Sequence, residues 1–529
     1  MTDREYYMRE AKTCHMELYH EKVYAHSGVP TGDLRAGSSV TFDFGNHYVG
    51  SVTLDIRSAG SHQDAPALIR IRYCENRREL EQDPESYEGW ISKGWIQEEI
   101  LHLDVLPGTV CTGRRYAFRF VKVDVIDTSS KFGIVIDDIH ADTVTSADDA
   151  HLPAFEGTQM EQDLARVSCR TLRNCMQEVF EDGPKRDRRL WLGDFRLQAL
   201  ANSVSYRNDA LVRKCLYLFA AVADEKGRIP ACLFLRPAIE GDDTYMFDYS
   251  LFFISVLKHY VEVTGDKKSG KDLWKRAVQQ WELAEDFFEN NIVQPGREIG
   301  WCFVDWNLDL DKTAAAQGIY LFCCRELLRL GHLLFADDAK AGCTRGEVQA
   351  ADEDTDAYMQ QQEDVMDGRG WAMLRDEVER RLARRREAAA DTFYDPFSRL
   401  FTSGPGRQIS VMSQAWCVLG GVIDPADGAK TLRRILEDGN ALQPVTPYAY
   451  HTLIDAMLLC GMRREAYQLM ISYWGSMIRD GADTFYELFD PSDPDTSPYG
   501  SCIINSYCHA WSCTPVYFME HFRLREGEL

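Results

Sequence analysis

No stretch of about 18 apolar residues occurs in this 529-residue sequence, so no segment reads as a membrane-spanning helix. Its first residues, Met1-Thr2-Asp3-Arg4-Glu5-Tyr6-Tyr7, are polar and lack the apolar stretch of a secretion signal. Basic residues are outnumbered: 59 Lys and Arg face 83 Asp and Glu, for a formal net charge of −24. Nucleic acid and anionic membrane are thereby excluded as expected partners, because both are gripped by basic surface. A neutral sugar suits such a charge. No Cys-x-x-Cys pair and no Cys/His cluster with zinc spacing appears among the 16 cysteines. Several of them (Cys169, Cys175, Cys323, Cys324, Cys417, Cys460) lie in apolar helical runs. The expectation is free buried thiols in a reducing cytoplasm, with no metal and no organic cofactor. No repeat of fixed period is visible, which disfavours a regular solenoid.

What is present divides the chain in two. Its length exceeds what one hydrophobic core serves. Residues from about 37 to 146 alternate with period two in Ser39–Phe44, Val52–Ile56, Ile69–Tyr73 and Tyr116–Val125, and Val135-Ile136 precedes a further strand. Short strands between Gly, Asp and Ser turns predict a jelly-roll-like β-sandwich over 1–147. The small, polar stretch 144–153 is the linker. Beyond it, Leu164, Val167, Thr171, Cys175 and Val179 follow helical spacing. Helices are expected near 160–180, 195–221, 249–264, 272–291, 311–335, 371–391, 408–420, 429–437, 447–460, 463–479 and 507–524. A closed ring of helical hairpins, an (α/α)6 toroid over 148–529, accommodates them, with an acidic insertion at 336–370.

The most informative segment runs Glu181-Asp182-Gly183-Pro184-Lys185-Arg186-Asp187-Arg188-Arg189-Leu190-Trp191-Leu192-Gly193-Asp194. It lies between two apolar helices and is too charged for a core. Its arginines would hold the carboxylates in fixed geometry and separate their pKa values, and its Trp offers a stacking face for a pyranose ring. From the residues alone, a solvated ion-pair loop at a helix start is an equal reading.

The segment resembles the signature Asp-Cys-Pro-Gln-Arg-(Asp)-Glu-Arg-x-Gly-Trp-x-Gly-Asp of the α-L-rhamnosidases of glycoside hydrolase family 78. Asp182, Pro184, Arg186, Arg188, Trp191, Gly193 and Asp194 match it. The resemblance implies that Asp182 and Arg186 bind sugar hydroxyls, Trp191 lines the pocket and Asp194 supports it. Asp187 stands where the family has its general-acid Glu, one methylene shorter, and Gly183 and Lys185 replace Cys and Gln. Downstream, Asp483-Thr484-Phe485-Tyr486-Glu487 resembles the family's Thr-x-x-Glu segment, which makes Glu487 the general base. His509 stands where the family has a pocket histidine. Two distant carboxylates suit an inverting hydrolase, in which one protonates the leaving oxygen and the other activates water across a gap of about 6.5–9.5 Å.

Weaker matches are Asp248, which would face the cavity unless it caps a helix, and Trp306 of the Asp305-Trp306 pair, a pocket wall or a core residue. Two tryptophans in Tyr87–Glu99 suggest packing between domains, with sugar binding or covering of the toroid mouth as rivals. The resemblance thus implies an inverting exo-glycosidase that removes terminal α-L-rhamnosyl or a related deoxy- or L-sugar from small glycosides or oligosaccharides. Its rivals are a relative acting on another sugar, a sugar-binding protein without catalysis, and a helical-toroid polysaccharide lyase, which would favour a basic groove. The oligomeric state is left open, a homodimer included.

Overall fold

The computed structural model describes residues 1–60, 66–294, 301–336 and 368–529. The expected acidic insertion lies almost wholly outside the described residues. The chain packs into two compact units, a partition that differs from a single cut at 147/148. One comprises Met1–His15, Arg189–Met470 and Tyr517–Leu529, the other Met16–Arg188 and Ile471–Val516.

Helix α1 (Asp3–Thr13) belongs to the first unit. It begins with a capping box in which Thr2 and Glu5 satisfy each other's backbone N–H groups. The hydroxyls of Tyr6 and Tyr217 both donate to Asp272, at 2.8 and 2.6 Å, and fasten the helix in place.

The second unit is built on seven strands: β1 (Tyr19–Tyr24), β2 (Ser39–Ser58), β3 (Ala67–Cys74), β4 (Glu98–Leu103), β5 (Gly108–Cys111), β6 (Tyr116–Asp127) and β7 (Ile134–Thr145). They pair antiparallel in the order β1-β7-β2-β6-β3-β4, with β5 also on β2. The 20-residue β2 explains why the expected sandwich is one hydrogen-bonded network. Its first half lies on β6, and its second half lies between β7 and β5. Alternate residues Phe42, Phe44, Val52, Leu54 and Ile56 bury against Ile69, Ile71, Val121, Val123, Ile136 and Ile139. Each such side chain contributes about 1.5–3 kcal/mol of burial. Strand β1 escapes the alternation pattern because it is an edge strand with only Val23 buried. The same unit holds the one-turn helix α2 (Arg77–Leu80) and α3 (Gln159–Cys175).

The first unit is helical: α4 (Leu192–Val204), α5 (Asp209–Ala221), α6 (Phe247–Thr264), α7 (Lys267–Ala284), α8 (Thr313–Phe335), α9 (Gly368–Phe393), α10 (Val411–Leu419), α11 (Pro425–Glu437) and α12 (Pro447–Leu459). Helices α13 (Arg463–Arg479) and α14 (Pro515–His521) divide between the units. Alternate helices pack consecutively, α4 on α6, α6 on α8, α8 on α10 and α10 on α12. These are buried nearly all round, whereas α7 and α11 bury a single stripe, such as Leu432 and Ile435 in α11. Sequence periodicity predicts one helix over 195–221. The structure breaks it at Ser205–Asn208, where Arg207 adopts φ 53° and the Asn208 side chain caps α5 by accepting from Leu211 N–H.

Candidate active site

The charged loop after α3 and the segment 483–512 meet within the second unit. Ala510 N–H donates to the Asp182 carbonyl at 2.9 Å, and His509 N–H to the Phe485 carbonyl at 2.9 Å. These backbone bonds place Asp182, Arg186, Asp187, Glu487 and His509 in one cluster. Arg186 is its centre. Its guanidinium contacts the Glu487 carboxylate directly, donates to the Ile504 carbonyl at 3.2 Å and lies 3.8 Å from Asp187 Oδ1. Both carboxylates therefore face one guanidinium.

The two carboxylates differ in setting. The Glu487 side chain is 5% exposed and that of Asp187 is 27% exposed. Burial alone would push the Glu487 carboxyl up. The Arg186 charge, His509 and a hydrogen bond from the Tyr499 hydroxyl outweigh it and hold Glu487 below the usual glutamate range. Asp187 sits at the centre of a three-residue turn closed by Arg188 N–H to the Arg186 carbonyl at 2.7 Å. Asp187 has φ 59° and Arg188 φ 54°, left-handed values that cost roughly 1–3 kcal/mol each in residues other than glycine.

Lys185 is fully buried. Its ammonium donates to Glu79 at 2.6 Å and to the carbonyls of Ile503 and Asn505 at 2.9 and 2.8 Å. Glu181 pairs with Arg115 at 2.8 Å. Burial and the Arg115 charge push the Arg188 guanidinium down to about 10. A Cβ on Gly183 would meet Ser506 Oγ at 2.9 Å and His509 Nδ1 at 3.3 Å, so the loop approaches the His509 segment too closely for a larger residue without adjustment.

The remaining expected residues lie in the helical unit. Trp191, half-buried at the start of α4, meets Tyr249 edge-to-face at 6.4 Å. Tyr249 meets Phe303 at 6.1 Å, and Phe303 meets both Trp306 at 5.4 Å and Tyr448 at 5.5 Å. Trp191 and Trp306 are thus two ends of one aromatic chain, and both retain accessible surface. Asp194 is buried on α4, and its charge is felt by the Tyr448 phenol. Asp248 is not an N-cap, because Met246 holds that position. Its carboxylate accepts from the N–H groups of Phe303 and Val304 at 2.9 and 3.1 Å and from Tyr249 N–H at 3.0 Å. It thereby fixes the turn in which Val304 adopts φ 55°, an outlier for a β-branched residue.

Sequence reasoning missed Asp305 and Tyr499. Asp305 takes hydrogen bonds from Thr446 Oγ1 at 2.6 Å and Val445 N–H at 2.9 Å, and burial raises its carboxyl to about 6. The Asp-Trp pairing at 305–306 was the available signal. Tyr499 lies in a Ser/Pro/Gly turn with no periodicity, and only the fold brings it to Glu487. Among the described residues no group of His, Cys, Asp and Glu is arranged to hold a metal ion.

Comparison with known proteins bears on the family of the chain. Residues 8–143 match the glycosyl hydrolase family 78 alpha-rhamnosidase N-terminal domain, and residues 157–367 match the bacterial alpha-L-rhamnosidase 6 hairpin glycosidase domain. A rhamnosidase from Klebsiella oxytoca, solved with rhamnose bound, is 37% identical, with 98% of this chain and 99% of that one covered at a TM-score of 0.87. A family 78 rhamnosidase of Bacillus sp. GL1 shares the fold at 18% identity and TM-score 0.70, over 91% of this chain and 46% of that longer one. The Streptomyces avermitilis α-L-rhamnosidase complexed with L-rhamnose does so at 15% identity and TM-score 0.63, over 95% and 44%. No curated protein sequence matches. An N-terminal antiparallel sheet domain, a helical six-hairpin glycosidase domain and this degree of identity together make the chain a rhamnosidase-like member of glycoside hydrolase family 78.

Proposed function

We propose that this protein is an inverting exo-glycosidase that removes terminal α-L-rhamnosyl, or a closely related deoxy- or L-sugar, from small glycosides or oligosaccharides. The observation that carries the reading is the single buried guanidinium of Arg186 shared by Glu487 and Asp187. The rhamnose bound by the Klebsiella oxytoca relative supports the choice of sugar. In this reading Asp187, the more accessible carboxyl, protonates the departing glycosidic oxygen. Glu487, held ionised by its surroundings, takes a proton from the water that attacks the anomeric carbon from the other face. The C–O bond to the leaving group breaks as the C–O bond to water forms, and the anomeric configuration inverts. Asp182, Arg186 and His509 supply polar contacts to the sugar. Within the helical unit, Trp191 and Trp306 end one aromatic chain, and Asp248 fixes the backbone turn beside Trp306.

The test is release of p-nitrophenol from a panel of glycosides led by the α-L-rhamnoside, with wild type, Asp187→Asn and Glu487→Gln run side by side. Turnover of the rhamnoside, reduced by about 10²–10⁴-fold in each variant, is expected. Silence across the panel, with rhamnose still protecting the protein from thermal unfolding, would instead identify a sugar-binding relative without catalysis.

A further inference from the structure

The loop between β3 and β4 carries Tyr87, Trp90 and Trp95 and meets the segment 498–504 inside the second unit. The Tyr87 hydroxyl donates to the Tyr499 carbonyl at 3.2 Å, and Trp90 Nε1–H to the Pro498 carbonyl at 2.9 Å. The Trp90 and Tyr499 rings are 5.6 Å apart, and Tyr87, Ile96, Tyr499, Ile503 and Ile504 form a small apolar core of their own. Gly89 makes this approach possible, because a Cβ there would lie 2.0 Å from the Tyr499 carbonyl oxygen. The Arg186 guanidinium lies 4.1 Å from the centre of the Tyr499 ring, whose hydroxyl donates to Glu487 Oε1.

We propose that Tyr499 is a positioning residue for the Glu487 carboxylate, and that the Tyr87–Trp95 loop is the arm that holds Tyr499 in place. The inference rests on the reading of Glu487 as the general base, and gives the sheet-bearing unit a direct part in it. Three groups face the Glu487 carboxylate: the Arg186 guanidinium, the His509 ring and the Tyr499 hydroxyl. Arg186 binds one oxygen and Tyr499 the other, so the carboxylate is fixed at both ends and cannot rotate toward its counter-ion alone. Burial and the Glu487 charge push the Tyr499 phenol far up, so it remains a donor throughout the working pH range. An ordinary buried tyrosine satisfies its hydroxyl on whatever acceptor is near. Here the acceptor is the proposed base, the ring also supports that base's guanidinium partner, and an exposed tryptophan spends its indole N–H on holding the backbone beside it. Trp90 is 69% exposed, so little of its own burial accounts for its position.

The decisive measurement is the titration of Glu487 itself, followed by NMR in protein carrying ¹³C at glutamate Cδ, with the resonance assigned by its loss in Glu487→Gln. Tyr499→Phe keeps the ring under Arg186 and removes only the hydroxyl. The Glu487 midpoint is expected to rise by about one to two pH units, because a hydrogen bond to the charged form is lost. Trp90→Phe and Gly89→Ala, which disturb the arm without touching the carboxylate, are expected to move the midpoint in the same direction by less. An unmoved midpoint in Tyr499→Phe overturns the positioning role, and unmoved midpoints in both arm variants overturn the arm. Where the wild type hydrolyses the rhamnoside, the acid limb of its kcat/KM profile moves up with the midpoint in Tyr499→Phe while KM changes little. A merely structural role would lower kcat without moving the limb. If the wild type hydrolyses no glycoside, the proposed activity falls, and the titration still decides this inference.

Discussion

Replacing Lys185 by Met tests the floor of the charged loop after α3. All three ammonium protons of Lys185 are used, on Glu79 and on the carbonyls of Ile503 and Asn505. Glu79 in turn accepts from the N–H groups of Glu75 and Asn76 at 2.9 and 3.0 Å, the capping bonds of α2. Methionine fills a similar volume but leaves a buried carboxylate and two carbonyls without their donor. Removing one member of such a pair costs about 3–5 kcal/mol, a roughly 10²–10⁴-fold fall in the ratio of folded to unfolded protein. The pH dependence gives a second constraint. Burial raises the Glu79 carboxyl to about 7 even with Lys185 beside it, and loss of the ammonium raises it further. A carboxyl raised in the folded state holds an extra proton there, so its ionisation removes stability as pH rises through the folded value. The deficit of Lys185→Met is therefore largest at pH 8 and narrows toward pH 5. Equilibrium urea unfolding followed by tryptophan fluorescence measures it. The double variant with Glu79→Gln should recover much of the loss, since no charge is then stranded. A cost below about 1 kcal/mol, simple additivity with Glu79→Gln, or a deficit that widens on acidification would each refute the reasoning.

Three further outcomes follow from the geometry. Gly183→Cys, which restores the family residue, should destabilise the protein by about 1–3 kcal/mol and weaken the proposed rhamnose binding by crowding Ser506 and His509, read by thermal shift with and without the sugar. Asp248→Asn replaces an acceptor of three backbone N–H groups by a side chain that accepts through one oxygen only, and should cost about 1–3 kcal/mol in chemical unfolding. With Glu487 as the proposed base, the acid limb of kcat/KM should lie below the ordinary glutamate pKa, because Arg186 keeps the carboxyl ionised as pH falls. A limb above that value would assign the base elsewhere.

Much of the helical architecture was legible because burial imposes a 3.6-residue period: the expected 463–479 coincides with α13, and 447–460 with α12. The break at Ser205–Asn208 was not legible, because Arg207 takes a left-handed conformation with no Gly or Pro to announce it. Helix α1 left a readable signal in its Thr2-x-x-Glu5 capping box, yet its burial is set by Asp272, some 260 positions away. The charged loop 181–194 was recognisable from its motif, but its partners were not. Nothing near Lys185 in sequence points to Glu79, and Tyr499 sits in an aperiodic turn that acquires meaning only beside Glu487. Charged groups that choose partners across hundreds of positions leave no local pattern to read.

The docking of α1 has a consequence for the order in which the molecule is assembled. Residues 3–13 find their partners on α5 and α7, where Tyr217, Asp272 and Arg276 receive them. During synthesis those partners emerge some 200–260 residues later, a wait on the order of tens of seconds at typical elongation rates. Throughout that interval the strands that follow α1 are free to pair, while the helix itself has nothing to bind. Residues made before the strands are therefore among those that dock late, and α1 behaves as a latch on the helical unit rather than as a seed for it.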